Sequence, residues 1–179
     1  MLAELQSKLL PQGLSDFQWQ TVASTSALSY GAMLGGRTSV VRRMKFPSAR
    51  GELMVEIEGE PPEWLESIGK SLSEILDLRQ GWDSYGAKPI SPQCVGAALD
   101  ILLRVMREDT LPPSVVPTSP GGIQLEWHAR GIDLEIEILS PTRVRGLFED
   151  LRTGIEWEAD LSFDQTRLTE AIGRLSQPA

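Results

Sequence analysis

The chain is poor in the side chains that most often carry chemistry. In 179 residues it holds one cysteine, Cys94, and one histidine, His128. A lone cysteine forms no internal disulfide, and without a Cys/His cluster there is no zinc site of the usual kind. Any imidazole-assisted nucleophile would have to use His128. Aromatic residues make up 6% of the chain. No Gly-x-Ser-x-Gly elbow, phosphate loop or Gly-x-Gly-x-x-Gly fingerprint occurs. No apolar run nears the ~20 residues that span a bilayer, and the first thirty residues lack a basic stretch followed by an apolar one. A cytoplasmic protein without membrane partners or cofactors is therefore expected.

What is present is charge, unevenly placed. The net charge is -8. Residues 1–50 carry Lys8, Arg37, Arg42, Arg43, Lys45 and Arg50 against Glu4 and Asp16, a balance of +4 that leaves -12 for residues 51–179. We expect a basic, partly flexible arm over 1–50 and an acidic α+β domain over 51–179. An acidic body suits basic protein partners and disfavours nucleic acid over most of the surface.

The stretch 121–160 reads as a four-stranded antiparallel meander. Ile123, Leu125 and Trp127, then Ile132, Leu134, Ile136 and Ile138, then Val144 and Phe148, then Ile155, Trp157 and Ala159 alternate onto one face. An Arg130-Gly131 turn would set His128 opposite Asp133 and Glu126 opposite Glu135, and like charges across strands are destabilising. Arg143 and Arg145 would lie between Glu135 and Glu137 on one side and Glu158 on the other. The polar face thus offers Glu126, His128, Asp133, Glu135, Glu137, Arg143 and Arg145 as candidate partner-binding residues. A metal or acid/base site built from Glu126, His128, Asp133 and Glu135 is the alternative. It is weakened by the flatness of a sheet and by the neighbouring arginines.

Helices should cover the apolar face. Leu65, Ile68, Leu72, Ile75 and Leu76 form one stripe between about Pro62 and Gln80, with Gly81 at the expected C-terminal cap. Ser91-Pro92 starts a second helix, reaching about Asp109 and packing antiparallel to the first. A third carries Leu168, Ala171, Ile172 and Leu175, with Asp164 as its cap. The four prolines within 110–120 predict an extended connection. Upstream, Leu53, Val55 and Ile57 alternate with glutamates, a strand paired with 38–46 in a hairpin around 47–51. The uncharged run 22–36 predicts a loop or flexible linker.

Two further segments compete for function. Arg37, Arg42, Arg43 and Lys45 could contact phosphates or an acidic partner. In the loop 81–90, Trp82, Asp83 and Tyr85 could form a recognition pocket. The plainer expectation is that Trp82 and Tyr85 plug the corner between helices while Asp83 binds backbone amides. Cys94, next to an apolar stripe, reads as a buried thiol.

The loop GWDSYGAKPIS and the strand GGIQLEW, with the elements between them, resemble a group of short, functionally uncharacterised bacterial proteins bearing GWD-x-Y-x-A-x-P-I and GG-x-x-LEW elements. The similarity spans about residues 75–140. It implies a bacterial setting and this order of elements, and carries over no activity. The function expected is that of a non-catalytic interaction protein, of the antitoxin, immunity or accessory-subunit kind.

Overall fold

The computed structural model describes residues 20–23 and 40–176. The protein is α+β, with two antiparallel sheets joined by helices. β1 (Gln20–Ala23), β2 (Val40–Ser48) and β3 (Gly51–Glu58) form the first sheet in that order. α1 (Trp64–Leu76) and α2 (Pro92–Val105) follow. The second sheet is β4 (Ser114–Pro117), β5 (Ile123–Ala129), β6 (Ile132–Ser140), β7 (Arg143–Asp150) and β8 (Ile155–Asp160), again in chain order, and α3 (Thr166–Leu175) closes the chain. Among the described residues no helix is long and apolar enough to cross a membrane.

The meander has five strands, not four. The extra strand comes from the proline-rich connection: Val115 and Val116 pair with Leu125 and Gln124, and Pro117 stands opposite Ile123. Proline has no amide to donate, so such a segment fits only a sheet edge, and β4 is one. Val22 and Ala23, read from sequence as the start of a linker, belong to β1 and pair with Val41 and Val40. The rest of 22–36 lies outside the described residues.

The hairpin crosses residue 50 and is part of the core. Phe46 is fully buried, in one cluster with Leu72 of α1, Leu99 of α2 and Leu134 of β6. It lies directly against Gly69, where a Cβ would fall inside the Phe46 ring. Polar ties reinforce the seam. Ser73 Oγ donates to Pro47 O, the Ala49 amide donates to Asp77 Oδ1 at 2.6 Å, and Arg50 Nη1 reaches Ile90 O at 3.0 Å.

α1 ends at Leu76, four residues short of the expected stop, with Asp77 and not Gly81 at its C-cap; the Asp77 carboxylate accepts the hairpin's Ala49 amide. α2 ends at Val105, where Met106 becomes extended and Thr110 Oγ1 accepts the Arg107 amide. Asp164 accepts both the amide and the hydroxyl of Thr166, the first residue of α3, but the N-cap position itself is Gln165, not Asp164 as expected. Among the described residues, α1, α2 and α3 all lie on the apolar side of the meander. That face is covered over β5, β6 and β7 but incompletely at β8, where Trp157 is half-buried and Ile155 is 42% exposed. Cys94 is buried, and burial pushes its thiol pKa up, away from reactivity.

Candidate functional site: the open face of the meander

The Arg130-Gly131 turn, with φ of 57° and 72°, pairs Ala129 with Ile132. Positive φ at both central residues suits the right-handed twist of a two-residue hairpin. The resulting register sets His128 opposite Asp133, Glu126 opposite Glu135 and Gln124 opposite Glu137. β7 and β8 add Glu149, Glu156, Glu158 and Asp160 to the same face. Eight carboxylates therefore share one side of the sheet, and among the described residues no helix packs on that side.

The expected arginine row is thinner than the alternation suggested. An irregularity between Ile138 and Ser140 sets Arg143 opposite Ser140. Arg145 stands between Glu137 and Asp160, and Leu147, 47% exposed, fills the place between Glu135 and Glu158. Among the described residues neither Arg143 nor Arg145 has a carboxylate within 4.0 Å. Arg145 acts at longer range and helps to lower the Asp160 pKa, after the Ser162 hydroxyl and amide.

His128 lies between two acids. Its Nδ1 is 2.8 Å from Asp133 Oδ1 and its Nε2 is 3.5 Å from Glu126 Oε2. The hydrogen bond to Asp133 raises its pKa above 6.5; desolvation opposes the shift and Glu126 reinforces it. A raised value favours the imidazolium, whose contribution to stability is complete below about pH 6.5 and is lost as pH rises through the folded-state pKa. The ring is more than half exposed, so this contribution is small. With both nitrogens facing carboxylates, the imidazolium form is favoured. Among the described residues no group of three His, Cys, Asp or Glu side chains is arranged to hold a metal ion.

The other predicted residues are placed elsewhere. On the hairpin, Arg42 pairs with Glu60, Arg43 with Glu56, and Lys45 with Glu52 at 3.0 Å. Arg37 lies outside the described residues. Three of the arm's four described cations therefore have acidic partners, and the fourth, Arg50, donates to the Ile90 carbonyl instead.

In the 81–90 loop, Asp83 behaves as expected. Its Oδ1 accepts the amides of Tyr85 and Ala87 at 2.8 and 2.9 Å, and Ser119 Oγ donates to its Oδ2 at 3.0 Å. The Ala87 amide foremost, then that of Tyr85, holds the carboxyl below its ordinary pKa. Trp82 is half-buried and donates to Lys88 O at 3.1 Å. Tyr85 does not plug the corner: it is 94% exposed, beyond a Ser84 held at φ 66°. The loop is latched to the turn before β5, since the Lys88 and Ser91 amides donate to Ser119 O and Gly121 O. Gly121 is required there, because its φ is 95° and a Cβ would stand 2.8 Å from Pro89 O.

Comparison with protein-family profiles, with curated proteins and with solved structures finds no match to this chain.

One residue of consequence was not singled out from the sequence. Asp150 is in phase with Val144 and Phe148 and faces inward, fully buried. Its Oδ1 accepts the Arg152 amide and Nε at 3.0 and 3.2 Å, and Arg174 Nη1 of α3 lies 3.3 Å from its Oδ2. An acid at an inward position of an alternating strand was the available signal.

Proposed function

We propose that this is a non-catalytic interaction protein, of the antitoxin, immunity or accessory-subunit kind, whose open meander face docks a basic surface of another protein. The observation that carries this reading is the set of eight carboxylates on one sheet face, whose cations among the described residues are His128, Arg143 and Arg145 and where Gln124 donates to Glu135. Some of those carboxylates oppose each other directly: Glu126 faces Glu135, and Asp133, Glu149 and Glu156 line one cross-strand row. Like charges so placed work against the sheet, so folding alone does not account for them. A positive partner would neutralise them and be steered toward them. The hairpin cations, already paired, contribute less than the face does.

Charge reversal separates binding from folding. The variant Glu135→Lys/Glu158→Lys places a lysine opposite Glu126 and removes repulsion, so Tm should hold or rise. Recovery of a basic partner on tagged protein from its native host should fall by about tenfold or more, since charge pairs across an interface set steering and register. The control Arg42→Glu/Arg43→Glu should leave recovery intact. Undiminished recovery with the reversed face, or a recovered partner that is itself acidic, would overturn the proposal.

A further inference from the structure

The meander has two edges, and they are protected differently. β4 is four residues long, follows Pro113 and ends in Pro117, devices that discourage another strand from pairing. β8 is six residues long, contains no proline, and among the described residues pairs only with β7. The Leu161 amide donates to Val144 O, which fixes the phase of the ladder. In that phase Ile155, Trp157 and Ala159 turn their amides and carbonyls to β7, and Glu156, Glu158 and Asp160 aim theirs out of the sheet.

Side chains along this edge are sorted just as sharply. Toward the open face stand Glu156, Glu158 and Asp160. Toward the helices stand Ile155, Trp157 and Ala159, beside a cleft of about 350 Å³ between β8 and α3. Phe148 lines the cleft, stacked on Trp157 with centroids 5.4 Å apart, and α3 contributes Ala171 together with the charged Arg167, Glu170 and Arg174. Phe163, just past the strand, is 93% exposed. An edge defended only against pairing would not also carry exposed apolar residues over a cleft.

We propose that β8 receives an extended segment of a partner protein in which basic and apolar residues alternate, joining the meander as a sixth strand. The period of two puts every second side chain on each face. Basic residues of the incoming strand then meet Glu156, Glu158 and Asp160, and apolar ones cover Ile155 and Trp157 at the cleft, while main-chain hydrogen bonds run to Glu156 and Glu158. A second copy of β8 is a poor occupant, since pairing would set the same three carboxylates against one another. This inference rests on the acidic-face reading for the partner's charge and adds the path of its backbone.

The test uses the full-length ¹⁵N-labelled protein with two probes, the capped octapeptide (Lys-Val)₄ and octalysine. Octalysine should shift resonances across the acidic face without slowing exchange at the Glu156 and Glu158 amides. The alternating peptide should also slow exchange at those two amides by about fivefold or more, the equivalent of one net hydrogen bond. Glu158→Gln removes a charge and keeps the amide; Glu158→Pro removes both, on the side of β8 that faces away from β7. The proline variant should bind the alternating peptide about fivefold more weakly than the glutamine variant. Equal affinities, or face shifts without amide protection, would overturn the edge proposal and leave the acidic-face reading standing. Failure of both peptides to bind would overturn both.

Discussion

Phe46→Ala is expected to cost about 3–5 kcal/mol, the range for truncating a buried aromatic. For a chain of this size that corresponds to a fall of roughly 6–20 °C in Tm. Phe46 has no exposed surface and sits where the hairpin meets α1. The partner substitution is Gly69→Ala. On an exposed helix it would stabilise by ~1 kcal/mol. Here the new methyl would stand 2.1 Å from the Phe46 ring, and Phe46 is itself fully buried. Overpacking of this kind costs about 1–3 kcal/mol, so the sign reverses. Joining Gly69→Ala to Phe46→Leu should cost less than the two single changes added together. Thermal or urea unfolding of the four proteins checks the cycle. A Gly69→Ala protein more stable than the parent would show that the helix and hairpin are not in this contact.

Asp150→Asn should lower Tm at neutral pH and flatten the loss of stability in acid. Burial alone would push the Asp150 carboxyl up; hydrogen bonds from the Arg152 and Thr153 side chains and the Arg152 amide, with the Arg152 charge, overcome it and hold the pKa at about 2, against an ordinary 3.8. A depressed carboxylate contributes stability that is fully present above its unfolded pKa. That contribution is lost as pH falls from about 4 to about 2. The asparagine keeps the shape but cannot balance Arg152 and Arg174, which come from a β-turn and from α3. Both arginines are about 40% exposed, so water compensates them in part and the loss is smaller than for a fully buried pair. Urea midpoints measured between pH 2 and 7 should fall steeply below pH 4 in the parent and less steeply in Asp150→Asn. Parallel curves would mean that Asp150 carries none of the acid sensitivity.

The meander was legible because strict alternation leaves little freedom of register: once Arg130-Gly131 is the turn, every pair from Ala129/Ile132 to Ile123/Ile138 follows. The hairpin was legible for the same reason, with Arg43 set opposite Glu56. β4 was hidden because its four residues stand among prolines, and only its place at an edge makes them tolerable. The inward character of Ile155, Trp157 and Ala159 was readable, but their exposure was not, since coverage depends on how far α3 reaches across the sheet. The arginine row is thin because Leu147 takes the place between Glu135 and Glu158, while Arg143 falls opposite Ser140, past the last glutamate of β6. The latch between Asp83 and Ser119 joins residues 36 apart, and no spacing rule connects them.

The opposed carboxylates also determine how the protein responds to its solvent. At physiological ionic strength the screening length is about 8 Å, comparable to the separation between neighbouring rows of the face. Dilute buffer therefore leaves Glu126 and Glu135, and the Asp133–Glu149–Glu156 row, to repel at nearly full strength, and added salt relaxes them. The same salt would weaken attraction to a basic partner. Free and docked protein thus respond to ionic strength with opposite signs: concentrated salt favours the solitary fold, and dilute conditions favour the complex.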